Sequence, residues 1–467
     1  MIRPPLMGFL IVAACARGAT AEAPEERPPN IVLIVADNLG YGDVGCYGST
    51  LHRTPRLDRM AAEGMRLRHF YVTSGVCTPS RASIMTGCYP RRVNMHISDL
   101  GHHVLQPVSP KGLHPDEITV AELLKHADYA TACIGKWHLG DQPEFLPTRQ
   151  GFDFYYGIPY SDDMTQREGK PWPPLPLMRN EEVVEAPADR NTLTQRYTEE
   201  AIAWMEANRE RPFFLFMPQA MPGSTREPFA SEEFRGKSAN GAYGDSVEEL
   251  DWSAGEILDA VARLGLDEQT LVIWTSDNGA PRRNPPQGSN SPLKGWGYDT
   301  SEGAMRMPCI VRWPGHVPSG VRCDVLCTSM DFYATFANLA GAEIPDDRII
   351  DGYDIRRILK GHPAAETPYE AFYYYDRGEL KAVRSGPFKL YLSDDGEPEG
   401  LYDLVNDISE EENILADHPD VVARLDEHAA EARADLGNGD QEGANQRPAG
   451  WVEEVTAREM AASDRGD

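Results

Sequence analysis

The sequence is short of basic residues and carries a large excess of acidic ones. Its 467 residues include 45 Lys and Arg against 73 Asp and Glu, which gives a formal net charge of −28 at pH 7. Nucleic acids and anionic membrane surfaces repel such a chain, so both are excluded as general partners. A site for an anion must therefore be a local concentration of positive charge within an acidic protein.

Long apolar runs are absent beyond the N-terminal residues. Arg3 precedes an apolar run over residues 6–14, which is too short for a permanent membrane span and is typical of a secretory signal. We therefore expect an exported protein, periplasmic, extracellular or lipid-anchored, with no membrane span. The signal comprises either residues 1–21, with a small-residue cleavage site at its end, or a lipoprotein signal that ends before Cys15 and leaves a lipid anchor there.

Cysteine is also scarce, with 8 residues in the whole chain. None stands at a Cys/His spacing typical of zinc, and there is no glycine-rich phosphate loop and no internal repeat. Apart from Cys15 and Cys77, six cysteines remain, either free or paired in an oxidising compartment. Their pairing does not follow from the sequence.

Strand and helix patterns alternate over most of the chain. Residues 30–36 form a continuous apolar run, which suits a strand buried on both faces of a parallel sheet. Further strands are predicted at 131–134, 213–217, 270–275 and 308–313, and helices at 55–63, 118–126, 192–208, 244–264 and 330–340. This order predicts a doubly wound α/β fold.

The pattern changes after about residue 345. Short strands joined by turns are predicted at 371–375, 380–384 and 388–392, followed by a helix at 419–433. We therefore expect a larger domain over 28–345, a smaller α+β domain with an antiparallel sheet over 346–436, and a polar, mobile tail over 437–467.

The most informative stretch is CTPSRASIMTG, which runs from Cys77 to Gly87. Gly75 and Pro79 indicate a loop, and a helix is predicted to begin at about Ser80. A thiol near a helix N-terminus meets a positive field and unpaired N–H groups. Arg81 can lie beside that thiol and hold an anion. On these residues alone, Cys77 is either a reactive group or an ordinary buried cysteine.

Oxygen-bearing side chains follow two of the predicted strands. Asp37 and Asn38 follow the first strand. Asp277 and Asn278 follow the strand at 270–275. Sites in open α/β sheets form at the carboxyl ends of strands, and paired oxygens there suit a hard divalent cation. An aspartate in this position is, alternatively, a simple turn former.

A cation and an imidazole follow the strand at 131–134. The segment GKWHLG contains Lys136 and His138, and alternation in an extended segment places both side chains on one side. Such a pair can clamp an anion and carry a proton. The alternative is a surface lysine beside a packed histidine.

Together these stretches resemble the type I, formylglycine-dependent sulfatases. The similarity rests on Cys-x-Pro-Ser-Arg with the following Thr-Gly, on GKWHLG and on Asp-Asn-Gly, and it covers about residues 28–433. It implies a catalytic domain over 28–345 with an alkaline-phosphatase-like, doubly wound mixed sheet. It also implies conversion of the cysteine to Cα-formylglycine and a bound Ca²⁺, whose ligands would be Asp37, Asn38, the modified Cys77, Asp277 and Asn278.

The resemblance further implies a double displacement. One hydroxyl of the aldehyde hydrate at position 77 attacks sulfur, and the second hydroxyl later expels sulfate. Arg81 and Lys136 would hold this position and neutralise charge, with His138 as the base and Ser161 in contact with the sulfate. A separate formylglycine-generating enzyme must install the aldehyde.

Three positions depart from the family pattern. Asn38 stands where an Asp is usual, Gly223 replaces the histidine that protonates the leaving group, and Gly297 replaces a sulfate-binding lysine. We hypothesise that Lys294 or Arg226 supplies the missing cation.

The sequence therefore predicts an exported sulfatase that acts on an aryl or carbohydrate sulfate ester. Its partners would be a sulfated small molecule or glycan and the formylglycine-generating enzyme. Two alternatives stay open: a phosphate or phosphonate ester hydrolase of the same superfamily, and a catalytically impaired sulfoglycan-binding homologue. The retained Cys77 argues against the second, because a pure binding protein needs no nucleophile.

Overall fold

The computed structural model describes residues 27–460 together with Met1. The predicted signal over residues 1–21 and the lipid site at Cys15 lie outside the described residues, as does the last part of the tail. Within the described chain, no helix combines the length and the apolar character that a membrane crossing requires.

The described residues form nineteen strands and nine α-helices. The strands are β1 (Asn30–Asp37), β2 (Met65–Tyr71), β3 (Lys111–Gly112), β4 (Ala130–Ile134), β5 (Phe154–Gly157), β6 (Leu177–Arg179), β7 (Glu182–Glu185), β8 (Phe213–Pro222), β9 (Thr270–Ser276), β10 (Arg306–Arg312), β11 (Val321–Cys323), β12 (Cys327–Thr328), β13 (Phe372–Asp376), β14 (Glu379–Ser385), β15 (Phe388–Leu392), β16 (Pro398–Asp403), β17 (Gly437–Asn438), β18 (Gln441–Glu442) and β19 (Gly450–Trp451). The helices are α1 (Pro55–Glu63), α2 (Cys77–Thr86), α3 (Val120–His126), α4 (Leu193–Asn208), α5 (Gly241–Arg263), α6 (Glu302–Met305), α7 (Asp331–Ala340), α8 (Arg356–Leu359) and α9 (Pro419–Leu436).

A large mixed sheet forms the centre of the molecule, in the order β11-β2-β10-β9-β1-β8-β4-β5-β6-β7. The five strands from β9 to β5 are mutually parallel, and Val32 of β1 pairs with Leu215 on one side and Val272 on the other. β10 runs antiparallel to both of its neighbours, and β6 and β7 close the other edge in antiparallel fashion. The predicted mixed α/β sheet is confirmed.

Alternation along β1 explains its unbroken apolar run. Ile31, Leu33 and Val35 face a core shared with α2, α3 and α7. The intervening residues of β1, 32, 34 and 36, face a second core shared with α1, α4 and α5. Each fully buried aliphatic side chain contributes roughly 1.5–3 kcal/mol, so burial on both faces selects the central strand.

The C-terminal part contains an antiparallel sheet, β13-β14-β15-β16, covered by α9. Its apolar residues belong to the same core as one face of the large sheet. The following segment was expected to be a mobile tail, yet β19 pairs with β3 and Arg447 holds Glu117 through contacts of 2.7 and 2.9 Å. These pairings attach residues 437–460 to the body of the protein.

Candidate active site

The carboxyl ends of β1, β4 and β9 meet at one edge of the sheet. Asp37 ends β1, Asp277 follows β9, and Lys136 follows β4 after one glycine. The three strands are parallel and lie close together in the sheet, so the residues after them converge. Asn38 and His138 have φ angles of 61° and 65°, and the resulting sharp turns bring their side chains into the same region.

Cys77 is the first residue of α2, which thus begins about three residues earlier than the sequence predicts. Its Sγ lies 3.2 Å from Asp37 Oδ1 and 3.7 Å from Asn38 Oδ1. All ten residues of α2 are buried, and Gly87 ends the helix in the left-handed conformation. The helix therefore presents residue 77 from a rigid element to the strand ends.

Two buried cations surround Asp37. Lys136 Nζ lies 2.8 Å and an Arg81 nitrogen 3.2 Å from Asp37 Oδ1. Arg81 also binds Asp277 at 2.8 Å and donates to the backbone carbonyl of Lys136. Burial alone would raise the pKa of Asp37, but Lys136 and Arg81 outweigh it and lower this pKa to about 2. Asp37 is therefore an ionised carboxylate, and both cations form ion pairs with it.

Ser161 joins this group through its hydroxyl, which accepts a 3.2 Å hydrogen bond from Lys136 Nζ. Ser161 also lines the cavity above Cys77. The lysine thus connects the interior carboxylate to a hydroxyl at the cavity wall.

His138 is buried, and its Nε2 lies 3.0 Å from the carbonyl oxygen of Leu105. A carbonyl only accepts, so Nε2 carries the hydrogen, and Nδ1 has a free lone pair with no partner among the described residues. Burial and the charges of Lys136 and Arg81 hold the pKa of His138 well below its usual range. A neutral imidazole with this tautomer can accept a proton at Nδ1.

The donor set at the strand ends fits a hard cation. Ligand atoms of Asp37, Cys77 and Asp277 lie within 4.8 Å of one another. Within the described part of the chain, Asp37 Oδ2 and Asn278 Oδ1 are buried without a hydrogen-bond partner, which costs about 1–3 kcal/mol per group unless another ligand binds there. Burial and the Asp37 carboxylate raise the pKa of Asp277 to about 7. A divalent cation would offset the repulsion between these two carboxylates. The residues therefore suit Ca²⁺.

A cavity of about 250 Å³ opens above Cys77. Its lining residues are Val76, Cys77, His103, Val104, His138, Ser161, Asp163, Met164, Ser224 and Tyr298. Ser224 Oγ lies 2.9 Å from the Tyr298 hydroxyl and accepts a 3.2 Å hydrogen bond from the Asn38 amide. The lining thus combines apolar side chains, such as Val104 and Met164, with polar ones.

The structure brings together nine of the residues singled out in the sequence: Asp37, Asn38, Cys77, Arg81, Lys136, His138, Ser161, Asp277 and Asn278. Lys294 lies elsewhere, since its ammonium donates to the Glu410 carbonyl at 3.1 Å and lies over the Tyr402 ring. Arg226 is exposed and does not line the cavity.

Several cavity residues were missed in the sequence. Ser224 follows β8, so the rule that sites form at the carboxyl ends of strands could have identified it. His103, Val104 and Tyr298 lie on long loops, and no local pattern in the sequence indicates that they reach this cavity.

The two glycines that replace family residues have no room for a side chain. Gly223 has a φ of 65°, and a Cβ there would lie 2.7 Å from Asp162 Oδ1. A Cβ on Gly297 would lie 2.3 Å from the Gly279 carbonyl oxygen. Tyr298, the next residue, reaches the cavity instead.

Comparisons with known proteins find relatives that match most of this chain. The sulfatase family model matches residues 29–342, and the model for the C-terminal part of N-sulphoglucosamine sulphohydrolase matches residues 294–435. Human arylsulfatase A is 39% identical over 436 residues, which cover 83% of this chain and 84% of that protein. Mouse N-acetylgalactosamine-6-sulfatase is 38% identical over 401 residues, which cover 82% and 75%.

Solved structures extend the similarity to the fold. Ps i-CgsB in complex with k-i-k-neocarrahexaose superposes with a TM-score of 0.76 at 29% identity, covering 87% of this chain and 92% of that one. The expected alkaline-phosphatase-like fold is thereby confirmed. By its sequence, its fold and the residues at its strand ends, the chain belongs to the sulfatase family and is a sulfuric ester hydrolase.

Proposed function

We propose that this protein hydrolyses a sulfate ester of a carbohydrate or an aryl alcohol, with formylglycine at position 77 and Ca²⁺ as its cofactors. The observation that carries the proposal is the position of Cys77 at the start of α2, 3.2 Å from Asp37 and at the base of a cavity. The ion would be held by Asp37, Asn38, residue 77, Asp277 and Asn278.

The surroundings of Cys77 favour modification over direct use of the thiol. Burial and the Asp37 carboxylate raise the pKa of the Cys77 thiol well above its usual range. A thiol is nucleophilic as the thiolate, so an unmodified cysteine is poorly suited to attack an ester here. When present, a formylglycine hydrate supplies the attacking hydroxyl and Ca²⁺ polarises a sulfate oxygen.

The remaining residues have defined roles in this proposal. Lys136 and Arg81 hold Asp37 ionised and place positive charge beneath the sulfate, and all three side chains are buried. His138 takes up a proton at Nδ1, because Nε2 is occupied by the Leu105 carbonyl. Ser161 orients the sulfate through its hydroxyl.

The cavity size suggests which part of the substrate enters. About 250 Å³ is below the usual range of small-molecule pockets, roughly 300–1,000 Å³, so one sulfated ring enters and the rest of a longer substrate stays outside. The names of similar proteins support a sulfated glycan: one is an N-acetylgalactosamine-6-sulfatase, and Ps i-CgsB was solved with a neocarrahexaose.

Paired assays test the function. Protein from its own host is incubated with Ca²⁺ and either 4-nitrophenyl sulfate or 4-nitrophenyl phosphate, and with N-acetylgalactosamine 6-sulfate. We expect sulfate release with kcat/KM for the sulfate exceeding that for the phosphate, and no release by Cys77→Ala. Faster phosphate hydrolysis would favour the phosphoesterase alternative. Binding of sulfated glycans without turnover would favour the binding protein.

Peptide mass spectrometry tests the nucleophile separately. Trypsin releases residues 69–81 as one peptide that contains Cys77. We expect the mass of the aldehyde or its hydrate in place of the thiol. An unmodified thiol in fully active protein would contradict the formylglycine proposal while leaving the esterase activity intact.

We also propose export, on the evidence of the N-terminal signal-like residues. The signal ends either within residues 19–21 or before Cys15. N-terminal sequencing and lipid labelling of the mature protein distinguish a soluble exported form from a lipid-anchored one. A mature protein that retains Met1 in the cytoplasm would contradict export.

A further inference from the structure

The proposed reaction lacks an acid for the leaving group at the position where the family carries one. Gly223 stands there, and its left-handed backbone and close contact with Asp162 leave no space for an imidazole. An alcohol of high pKa leaves slowly as an alkoxide, and general-acid catalysis typically contributes about 10²–10⁴ in rate. A different acid in the same cavity would meet this need.

We propose that His103, held by Asp376, protonates the leaving alcohol. This inference rests on the proposed sulfate ester hydrolysis. Among the described residues, His103 and His138 are the two histidines that line the cavity above Cys77, and His138 directs Nε2 to the Leu105 carbonyl.

The contact between His103 and Asp376 orients the imidazole. His103 lies on the loop between α2 and β3, and its Nε2 lies 3.2 Å from Asp376 Oδ1 at the end of β13. Nε2 therefore donates to the carboxylate, and Nδ1 is the nitrogen that can serve the substrate. Burial alone would raise the pKa of Asp376, but the hydrogen bond from His103 and its charge lower it. The Asp376 carboxylate therefore fixes the orientation of the His103 ring at the cavity wall.

The partial exposure of His103 suits an acid that must regain a proton after each turnover. The His103 side chain is 37% exposed, in contrast to the buried ring of His138. One edge of the imidazole thus reaches solvent while the ring also lines the cavity, so water can restore the proton.

Atoms and electrons balance in this step. The hydroxyl oxygen at position 77 would form a new bond to sulfur and pass its proton to His138 Nδ1, and the bond from sulfur to the ester oxygen would break. The electron pair of that bond stays on the ester oxygen, which takes the proton from His103 Nδ1 and leaves as a neutral alcohol. The neutral imidazole then regains a proton from water.

Asp162 is the main competitor for this role. Both of its carboxyl oxygens are buried with no hydrogen-bond partner in the described chain, and it lies beside Gly223. Burial and the nearby Asp163 carboxylate raise the pKa of Asp162 to about 8, so it can hold a proton at neutral pH. It is, however, fully buried and does not line the cavity, whereas His103 does.

The test compares leaving groups of different pKa. Wild type, His103→Gln, Asp376→Asn and Asp162→Asn are assayed with Ca²⁺ on 4-nitrophenyl sulfate, which needs no acid, and on unsubstituted phenyl sulfate, whose leaving group is more basic. We expect His103→Gln to lower kcat/KM for phenyl sulfate by about 10²-fold or more and for 4-nitrophenyl sulfate by less than about tenfold. Asp376→Asn should show the same selectivity with a smaller loss.

His102→Gln is the matched control, because this neighbouring histidine is exposed and does not line the cavity. It should leave both rates unchanged, and thermal unfolding should show that every variant is folded. Equal losses on both substrates, or selective loss only in Asp162→Asn, would overturn the assignment of His103. If wild type hydrolyses neither ester, the proposed function itself fails.

Discussion

At the residue scale, the charge at the strand ends depends on the amide of Asn38. Its Oδ1 lies 2.6 Å from Asn278 Nδ2 and 3.7 Å from Cys77 Sγ. An amide offers Ca²⁺ an oxygen but no negative charge, and affinity for Ca²⁺ rises with the number of charged ligands. Two carboxylates, Asp37 and Asp277, therefore carry the electrostatic attraction.

Asn38→Asp should strengthen Ca²⁺ binding, because it adds a carboxylate at a position whose φ of 61° Asp tolerates well. We expect the dissociation constant of Ca²⁺ to fall on the order of tenfold. The measurement is thermal unfolding of chelator-treated protein against added Ca²⁺, which does not depend on activity. Asn284→Asp, at an exposed loop position, is the control, and an unchanged Ca²⁺ response in Asn38→Asp would contradict the metal assignment.

Restoring a histidine at position 223 should not restore an acid. A Cβ there would lie 2.7 Å from Asp162 Oδ1 and 2.9 Å from the Ala220 carbonyl, on a backbone with φ of 65°. We expect Gly223→His to lower the free energy of unfolding by about 1–3 kcal/mol and to give no gain in phenyl sulfate turnover.

The variant Gly236→His separates the cost of backbone strain from the cost of steric contact. Gly236 has a similar φ of 75°, but no heavy atom of the described residues lies within 4 Å of the place that a Cβ would take, so its variant carries the backbone strain alone. Urea unfolding of both variants should show the larger loss at position 223. Higher activity in Gly223→His would show that the loop can reopen to accept a side chain.

At the scale of elements, a buried ionic cluster joins α6 to the C-terminal sheet. Lys389 of β15 lies 3.0 Å from Glu302 of α6, which also accepts hydrogen bonds from Tyr374 at 2.9 Å and Tyr71 at 2.5 Å. Burial alone would raise the pKa of Glu302, but Lys389 and Arg384 outweigh it and lower this pKa to about 2. The C-terminal sheet thus supports the loop of residues 294–301 beside the cavity.

Glu302→Gln should destabilise the protein in a pH-dependent way. The folded pKa lies below the ordinary value of 4.5, so the ionised group stabilises the fold above about pH 4.5, and this contribution is lost as the pH falls towards 2. We expect the variant to lose about 3 kcal/mol of unfolding free energy at pH 7 and progressively less below pH 4.5.

Urea unfolding of both proteins between pH 7 and pH 3 measures this difference. Glu206→Gln removes a carboxylate from an exposed helix position and should cost less than about 0.5 kcal/mol at pH 7. A loss in Glu302→Gln that stays constant with pH would contradict the charge argument and indicate a packing effect.

At the scale of the whole molecule, the net charge of −28 opposes the approach of an anionic substrate. The cations at the site are buried and paired with carboxylates, so their field outside the cavity is weak. The long-range electrostatic interaction between protein and substrate is therefore repulsive, and the substrate is attracted only inside the cavity.

Salt should accelerate capture of the substrate. The Debye length falls from about 30 Å at 0.01 M to about 8 Å at 0.15 M, which screens the repulsion more than it weakens contacts inside the cavity. We expect kcat/KM for 4-nitrophenyl sulfate to rise about two- to fivefold over this range of sodium chloride, with kcat nearly unchanged. A decrease would show that a positive field at the cavity mouth dominates instead.

The sequence by itself determined the central strands and most of the site. The apolar run of residues 30–36 favours a strand buried on both faces, as the structure has it, and Asp37 and Asn38 follow this run. Parallel neighbours bring their carboxyl ends together, so the expected parallel sheet and the resemblance to the sulfatases were sufficient to group these residues with Lys136 and Asp277.

Only the tertiary structure decided which side chains surround these residues at the strand ends. Lys294 is drawn to Glu410 and Tyr402 of the C-terminal part, and His103 meets Asp376 at the end of β13. Such contacts join a loop to a sheet formed far away in the chain, so no local periodicity encodes them. Pairings of this kind exist only after the chain has packed, because their energy comes from burial and charge between distant segments.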